Sequence, residues 1–478
     1  MDKFFMQKPF ALTTNKFRNN FLLEESISLK NANLYYNNNT DLLIVKGNLS
    51  KIIMVGYLLD ITDSTLSENV ILNKLLENFN KSFEEFYNYF QYINGRFTII
   101  IDTIEDTYVF TDATSMKPLF YYENEVICTH ELLINEAIND EFGIKLSKYP
   151  FKTKSFLDYT NTQEVFRFNP NMYFSFRNKM FNRYYPSVKY KVQNTDLVIE
   201  NTEAYLKEQV KWLDLHYNNI YLSLTGGFDS KLSLAITKQL INKISFFSYM
   251  YRFDENQSYD ELSSYRKIYY KDKVIVDNLV YNFNLHHRYF YFGDYKIPKE
   301  YLDKITNHTS SEHSYKLSYL TYKEFERDSS IHVKSTLYEL AKQPFTGNAD
   351  MKTSNIWMIK AMRHWSPKHI RDDFEKLEEV YQDYYKRNKL EEVTVQGYNL
   401  PMILYWEYRM ANWHGNLTQE TDFILETFVF INNRYMINQL MTLNKNDRVN
   451  KNYLKKIVSR FWPALNYFKA NSFETLED

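Results

Sequence analysis

Residues 219–227, NIYLSLTGG, form an apolar strand-like run that ends in two consecutive glycines. Residues 229–240 then carry helical spacing, and ISFFSYMY (244–251) is a second apolar strand. The alternation continues with a helical stretch over 259–281 and the strand-like HHRYFYF (286–292). Strand–helix–strand–helix–strand predicts a parallel sheet joined by right-handed crossovers. Ligands of such sheets bind outside the carboxyl ends of the strands. A glycine pair at that edge lets the backbone bend sharply and come close to a ligand. The amides of the turn and of the helix start then converge, and the helix dipole favours an anion there. Ser223 ends the strand, and Thr225 and Ser230 add hydroxyls around Gly226 and Gly227. Asp229 fits an anion nest only if a cation accompanies the anion. Mg²⁺, which takes carboxylate and phosphate oxygens together, resolves the conflict. The bland alternative is a plain strand–helix turn with Asp229 near the helix N-cap. The segment matches neither the P-loop nor the G-x-G-x-x-G pattern.

The earlier part of the chain reads differently. LLIVKG (42–47) and KIIMVGYLL (51–59) are short turn-bounded strands, and 67–92 has helical spacing. RFTIIID (96–102), TYVFTD (107–112) and PLFYY (118–122) follow as strands, with a hairpin turn at Glu105-Asp106. MYFSFR (172–177) and the segment ending RYYP (183–186) bracket Asn178-Lys179. This part is expected to be a sheet-rich α+β layered domain. Residues 186–196 are polar and read as a linker. Past the parallel sheet the chain is helix-rich, and 371–393 has the i,i+4 charge pairs of a solvated helix.

Composition narrows the function. Lys+Arg number 58 and Asp+Glu 59, which lacks the basic excess that nucleic-acid binding needs. The 42 Tyr and 36 Phe are explained as packing, since base stacking requires a basic groove beside it. The single cysteine, Cys128, rules out an internal disulfide and a cysteine-rich zinc site. It reads as a small buried hydrophobe. No stretch nears the ~18 consecutive apolar residues of a spanning helix, and the first 20 residues lack a signal-peptide core. The expectation is a cytoplasmic protein that meets neither nucleic acid nor membrane.

LTGGFDSK (224–231) closely resembles the pyrophosphatase-type loop, Ser-Gly-Gly-x-Asp-Ser, of the asparagine synthetase family, with Thr225 in the place of the first serine. Residues 93–122, with a Gly-x-Phe strand, a hairpin and a Lys-Pro-Leu-Phe-Tyr-Tyr stretch, are similar to that family's N-terminal amidotransferase-type domain. Residues 169–186 resemble the segment closing that domain, and 421–443 resemble the family's C-terminal Glu-x-Arg-x-Pro-Phe-Leu-Asp block. The resemblance spans most of the chain in the expected order. It implies an amidotransferase-like domain over 1–186, a linker over 187–196, and over 197–478 a parallel-sheet ATP-binding ligase domain with a helical extension.

Two departures shape what the resemblance implies. Glutamine-dependent members use an N-terminal cysteine, but residue 2 is Asp2, so the nucleophile for glutamine hydrolysis is missing from its place. That pattern resembles the β-lactam synthetases and lasso-peptide cyclases. The family's second phosphate and metal motif, Gly-x-Gly-x-Asp-Glu, is matched only by HVKSTLYELAK (332–342), where Glu339, after Ser335, stands in for the metal-binding aspartate. It is equally a candidate for a helix-surface carboxylate. Lys451 matches a transition-state lysine, among the basic residues Lys445, Arg448, Lys455 and Lys456, which together also read as a solvated face. Glu426 matches the glutamate of the C-terminal block, as a base or an orienting group. Arg409, between Trp406 and Trp413 on one expected helix face, is a candidate to line the substrate site. The adjacent pair His286-His287 points to opposite strand faces and is not expected to grip a metal together.

The implied activity is adenylation of a substrate carboxylate by ATP with Mg²⁺, releasing pyrophosphate, followed by attack of a peptide or small-molecule amine and loss of AMP. Partner proteins of a biosynthetic cluster would accompany such a role. Two alternatives stay open: a degenerate relative that acts as a binding or partner subunit, and a nucleobase-modifying enzyme, which the balanced charge disfavours.

Overall fold

The computed structural model describes residues 6–15, 23–150, 153, 155–253, 257–309, 314–342, 363, 366–468 and 470–471. Asp2 lies outside the described residues.

The apolar runs of the first part become two six-stranded antiparallel sheets. One has the order Val165–Arg167, Phe120–Tyr122, Val126–Cys128, Phe10–Thr13, Asn33–Tyr36, Glu25–Ser28. The other runs Met180–Arg183, Met172–Ser175, Thr107–Thr111, Ile93–Thr103, Ser50–Asp60, Leu42–Lys46. Successive strand residues face opposite ways, and here both faces are covered. Ile53, Val55 and Ile100 pack between the sheets with Phe10, Leu12 and Leu34. Ile52, Met54, Ile99 and Ile101 turn outward onto Leu72, Leu75, Phe86 and Phe90 of two helices, Glu68–Lys81 and Phe83–Phe90. The outer face of the first sheet packs on Leu133, Ile134 and Ile138 of the helix Glu131–Phe142. The result is four layers, helix–sheet–sheet–helix. Burial on both sides explains why these strands read as continuous apolar runs rather than alternating ones.

The later part builds a five-stranded sheet in the order His287–Tyr291, Ile244–Met250, Asn219–Ser223, Ser330–Val333, Glu426–Phe428. Every neighbouring pair is parallel.

Several boundaries differ from the sequence expectation, each for a local reason. The helical stretch 67–92 breaks at Ser82, whose extended backbone lets its Oγ accept the amide of Glu85 and cap a second helix. The stretch 186–196 expected as a linker runs into a helix that starts at Thr195, because Asn194 caps it by accepting the amide of Leu197. The stretch 371–393 is two helices, Phe374–Arg387 and Leu390–Val395, parted by Lys389 at φ +50°. Its first helix is not solvated all round, since Leu377, Tyr381 and Tyr384 are buried. Residues Tyr405–His414 form a π-helix. Its wider turn removes Trp406 and Trp413 from a common face. Trp406 is wholly buried and donates its Nε1 proton to the carbonyl of Ala113 at 2.9 Å, while Trp413 stacks beneath Arg409.

The two parts share one core. Tyr57, Leu59, Ile61, Ala113, Met116 and Tyr185 of the first part belong to the same apolar cluster as Leu222, Val333, Trp406 and Phe428 of the second. Among the described residues no helix is long and apolar enough to cross a membrane.

Candidate active site

The strands of the parallel sheet lie in the sequence order 3-2-1-4-5. The chain therefore leaves its first and fourth strands toward opposite sides, which opens a crevice between their carboxyl ends. Residues 224–230 and 334–342 are the two segments that emerge there.

The first segment is held in shape by its own hydroxyls. Thr225 Oγ1 and Ser230 Oγ are 3.0 Å apart, the amide of Thr225 donates to Ser230 Oγ, and that of Gly227 donates to Thr225 Oγ1. Ser223 is the last residue of the strand, and Gly227 is the N-cap of the helix Phe228–Ile236. Asp229 thus sits in the first turn rather than at the cap. The amide of Gly226 donates to Oδ1 of Asp272 at 2.9 Å, from the helix Ser264–Phe283. A β-carbon on Gly226 would lie 2.8 Å from both Asp272 Oδ1 and Ile275 Cδ1, so only glycine admits this helix so close. Burial raises the Asp272 carboxyl above its usual range, and the Gly226 amide opposes that. This corrects the expected cradle of glycine amides: both are used inside the protein. The amides that a helix leaves without an internal partner are those of its first turn, here Phe228, Asp229 and Ser230. The chain near its C-terminus also crosses here. Asn471 donates its amide to the carbonyl of Gly226 at 2.8 Å, and Lys231 Nζ donates to that of Phe468.

The second segment turns at Leu337, with φ +70°, into a short 3₁₀ turn, Tyr338–Ala341. Ser335 donates to Ser233 Oγ at 2.8 Å, and Ser233 Oγ lies 3.1 Å from the Tyr338 hydroxyl, which ties this segment to the helix of the first. Glu339 is half-buried, and its Oε2 is shut off from solvent without a hydrogen-bond partner. Burial pushes its carboxyl up to about 7, with the charge of Asp229 adding and that of Lys342 opposing. Lys342 Nζ contacts both oxygens of Asp229, at 2.5 and 2.6 Å. Two carboxylates facing one crevice beside a helix N-terminus fit Mg²⁺, which needs one or two carboxylates when phosphates supply the remaining oxygens. Among the described residues no group of three or more His, Cys, Asp and Glu could hold a metal by itself.

Lys451, in a left-handed backbone conformation, caps the helix Asn452–Phe461 and holds its Nζ 5.1 Å from the Phe228 ring centre. Nearby, Arg448 donates to the carbonyls of Leu440, Met441, Leu443 and Leu340. It thereby joins the end of the helix Arg434–Met441 to the turn that carries Glu339. Tyr405 and Arg409, on the π-helix, both lie within the field of Glu339.

Glu426 is not brought to this crevice. It sits at the amino end of its strand, level with Ile331 and so with Ile220, five residues before Thr225. That is roughly 15 Å along the strand direction from the loop. It instead contacts Arg96 at 3.1 Å and Lys8 at 3.8 Å. Burial alone would raise its carboxyl, but Lys117, Arg96 and Lys8 outweigh that and hold it below the usual range. Cys128 is fully buried in its strand, and burial raises its thiol well above the range in which a thiolate forms. His286 and His287 meet different serines, Ser245 and Ser248. A cleft of about 600 Å³ beside Tyr385, Lys389 and Glu392 shares no residue with the crevice.

Asp272 and Lys342 were not legible beforehand as site residues. Asp272 is one carboxylate on a polar helix, and Lys342 ends a segment whose interest lay in Glu339.

No family model and no curated protein matches the chain. Among solved structures it is similar to the NH₃-dependent NAD synthetase of Campylobacter jejuni, at 10% identity over 48% of this chain and 96% of that one, TM-score 0.22. It is also similar to an allosteric regulatory enzyme of purine biosynthesis, at 8% identity over 77% and 74%, TM-score 0.24. The glutamine phosphoribosylpyrophosphate amidotransferase of B. subtilis matches at 8% identity over 77% and 75%, TM-score 0.22. Values this low leave fold and chemistry to be read from the chain itself.

Proposed function

We propose that the chain is an ATP-dependent ligase that activates a substrate carboxylate as its acyl-adenylate and passes the acyl group to an amine. The observation that carries this reading is the ion pair of Asp229, in the first turn of the helix after the first strand, with Lys342 of the segment after the fourth strand, which also carries Glu339. The carboxylate oxygen of the acid attacks the α-phosphorus of ATP, and the bond to the β-phosphate oxygen breaks to release pyrophosphate. The amine nitrogen then attacks the acyl carbon, AMP leaves with the bonding pair, and the amine gives up a proton. The amides of Phe228, Asp229 and Ser230 receive the departing pyrophosphate at the positive helix end. Lys451 stabilises charge developing beside them. Asp229 and Glu339 would hold Mg²⁺, which when bound neutralises phosphate charge. Arg448 fixes the turn on which Glu339 rides. The reading gives residues 1–186 a scaffold role without glutaminase activity, since Cys128 is shut inside a sheet. Residues 187–196 then join it to the ligase part, 197–478. It also places the protein in the cytoplasm, where ATP is plentiful, with a peptide or small-molecule amine as acceptor.

Exchange of labelled pyrophosphate into ATP, driven by candidate acids, tests the reading. Asp229→Asn is expected to abolish exchange while leaving the fold intact by circular dichroism. Exchange that survives Asp229→Asn overturns it.

A second reading has its own observation. The loop is already satisfied from within, by Asp272 at Gly226 and Lys342 at Asp229. A binding or partner protein that has lost nucleotide chemistry would look like this. Calorimetric titration with ATP and Mg²⁺ separates the two, since the partner role predicts no heat of binding.

A further inference from the structure

Lys342 holds the position on Asp229 that a hard cation would take. Its ammonium touches both carboxylate oxygens, at 2.5 and 2.6 Å, and the two side chains are only 20% and 26% exposed. The second carboxylate of the pair, Glu339, leaves Oε2 enclosed and unpartnered. Two carboxylates facing one crevice repel each other, and one ammonium offsets half of their charge. The backbone around the pair is pinned. The amide of Lys342 donates to the carbonyl of Glu339 at 3.0 Å, Arg448 grips the carbonyl of Leu340, and Ser335 is bonded to Ser233. What can move is the four-carbon stem of the lysine, a point charge on a flexible arm.

We infer that Lys342 is a resident counter-cation for Asp229 and Glu339, and that a divalent ion enters the pair only together with a nucleotide. A divalent ion arriving alone must shed strongly held water and displace an ammonium already held by both oxygens of Asp229. Arriving on a triphosphate, it brings further oxygen ligands, and the displaced ammonium finds a phosphate in place of the carboxylate it gives up. Metal affinity and nucleotide affinity are thereby coupled through one side chain, and the coupling is reciprocal. The site stays closed to free cations while remaining open to the charged nucleotide. This inference rests on the function proposed above and says how that site chooses its cation.

The test titrates Mn²⁺ into the full chain and reads free Mn²⁺ by electron paramagnetic resonance, with and without a non-hydrolysable ATP analogue. Without nucleotide, Lys342→Met is expected to bind Mn²⁺ at least about tenfold more tightly than the natural chain. Lys342→Arg, which keeps the charge, is expected to show no such gain. The gain is expected to vanish in Lys342→Met/Asp229→Asn, which assigns it to this pair. With the analogue, the natural chain is expected to bind Mn²⁺ tightly. Lys342→Gln serves as a second neutral variant should the methionine protein fail to fold. If the natural chain binds Mn²⁺ with the analogue but neither neutral variant gains affinity without it, the inference falls and the proposed function stands. If no protein binds Mn²⁺ with the analogue, both fall.

Discussion

At Gly226 a single methyl group decides how the loop meets its neighbour. Gly226→Ala would push against Asp272 Oδ1 and Ile275 Cδ1, each 2.8 Å from the new carbon, and against the Asp272 Cα at 3.2 Å. The last is backbone and cannot swing away. We expect a loss of about 1–3 kcal/mol, measured by urea unfolding, as for other overpacked sites. Histidine offers a second residue-scale test. His332 is buried against Phe247, and burial holds it down to about 3, with Lys334 adding; burial also holds His414 well below the ordinary 6.5. Both are uncharged in the fold. The stability this reflects is complete above pH 6.5 and is lost as the pH falls toward 3, because the unfolded chain takes up protons that the folded one refuses. His332→Gln is therefore expected to lose stability less steeply below pH 6, by up to about 1.4 kcal/mol per pH unit. Urea midpoints at pH 7, 5.5 and 4.5 check this. Of the residues expected in advance, Thr225, Asp229 and Glu339 each follow shortly after a strand, whereas Lys451 stands between two helices. Asp272 and Lys342 gain their meaning only from what the fold sets opposite them.

Elements were read more reliably where their ends have local causes. The apolar runs at 42–59 and 96–112 became strands, because runs of that length bounded by turns have few other outcomes. The break at Ser82 was missed, since a serine inside a helical pattern caps only when its own backbone extends. The π-helix Tyr405–His414 had no visible sign, as its widened turn follows from packing across a seam rather than from composition. Glu426 shows a related limit. Its block was recognisable, but strand direction and register place it at the far edge of the sheet. At this scale Arg448 makes the sharpest prediction. It binds four carbonyls from two elements while buried, and burial lowers it to about 10. Arg448→Met is expected to cost about 3 kcal/mol by urea unfolding, since hydrogen bonds to a charged group are worth more than neutral ones. The same change frees the carbonyl of Leu340, so affinity for metal-bound nucleotide is expected to fall as well, read by calorimetry.

Across the whole molecule the two parts are joined by a polar seam inside a common core. Arg183 donates to both oxygens of Glu407, which also accepts from Asn169 and Asn171; the pair's side chains are 1% and 0% exposed. Removing one partner of such a pair leaves a buried charge. Glu407→Gln is expected to destabilise by about 3–5 kcal/mol. Because the seam belongs to both parts, calorimetry is expected to show one transition that moves as a whole, not a first part melting away from an unaffected second. None of this was legible beforehand. Net charge near zero says nothing of where charges meet, and the pairing residues stand more than 200 positions apart.

Much of that seam reaches from a side chain on one part to a peptide carbonyl on the other. Tyr57 donates to Thr427, Asn94 to Val429 and Phe430, Asn412 to Leu157 and Tyr159, Asn432 to Gly95, and Arg434 to Thr111, Asp112 and Pro170. Every amino acid carries a carbonyl, so these bonds depend on the side chains of the donors and not on those of the accepting positions. Such a joint hangs on a thin skeleton of donors, one tyrosine, three asparagines and one arginine, rather than on matched pairs of side chains.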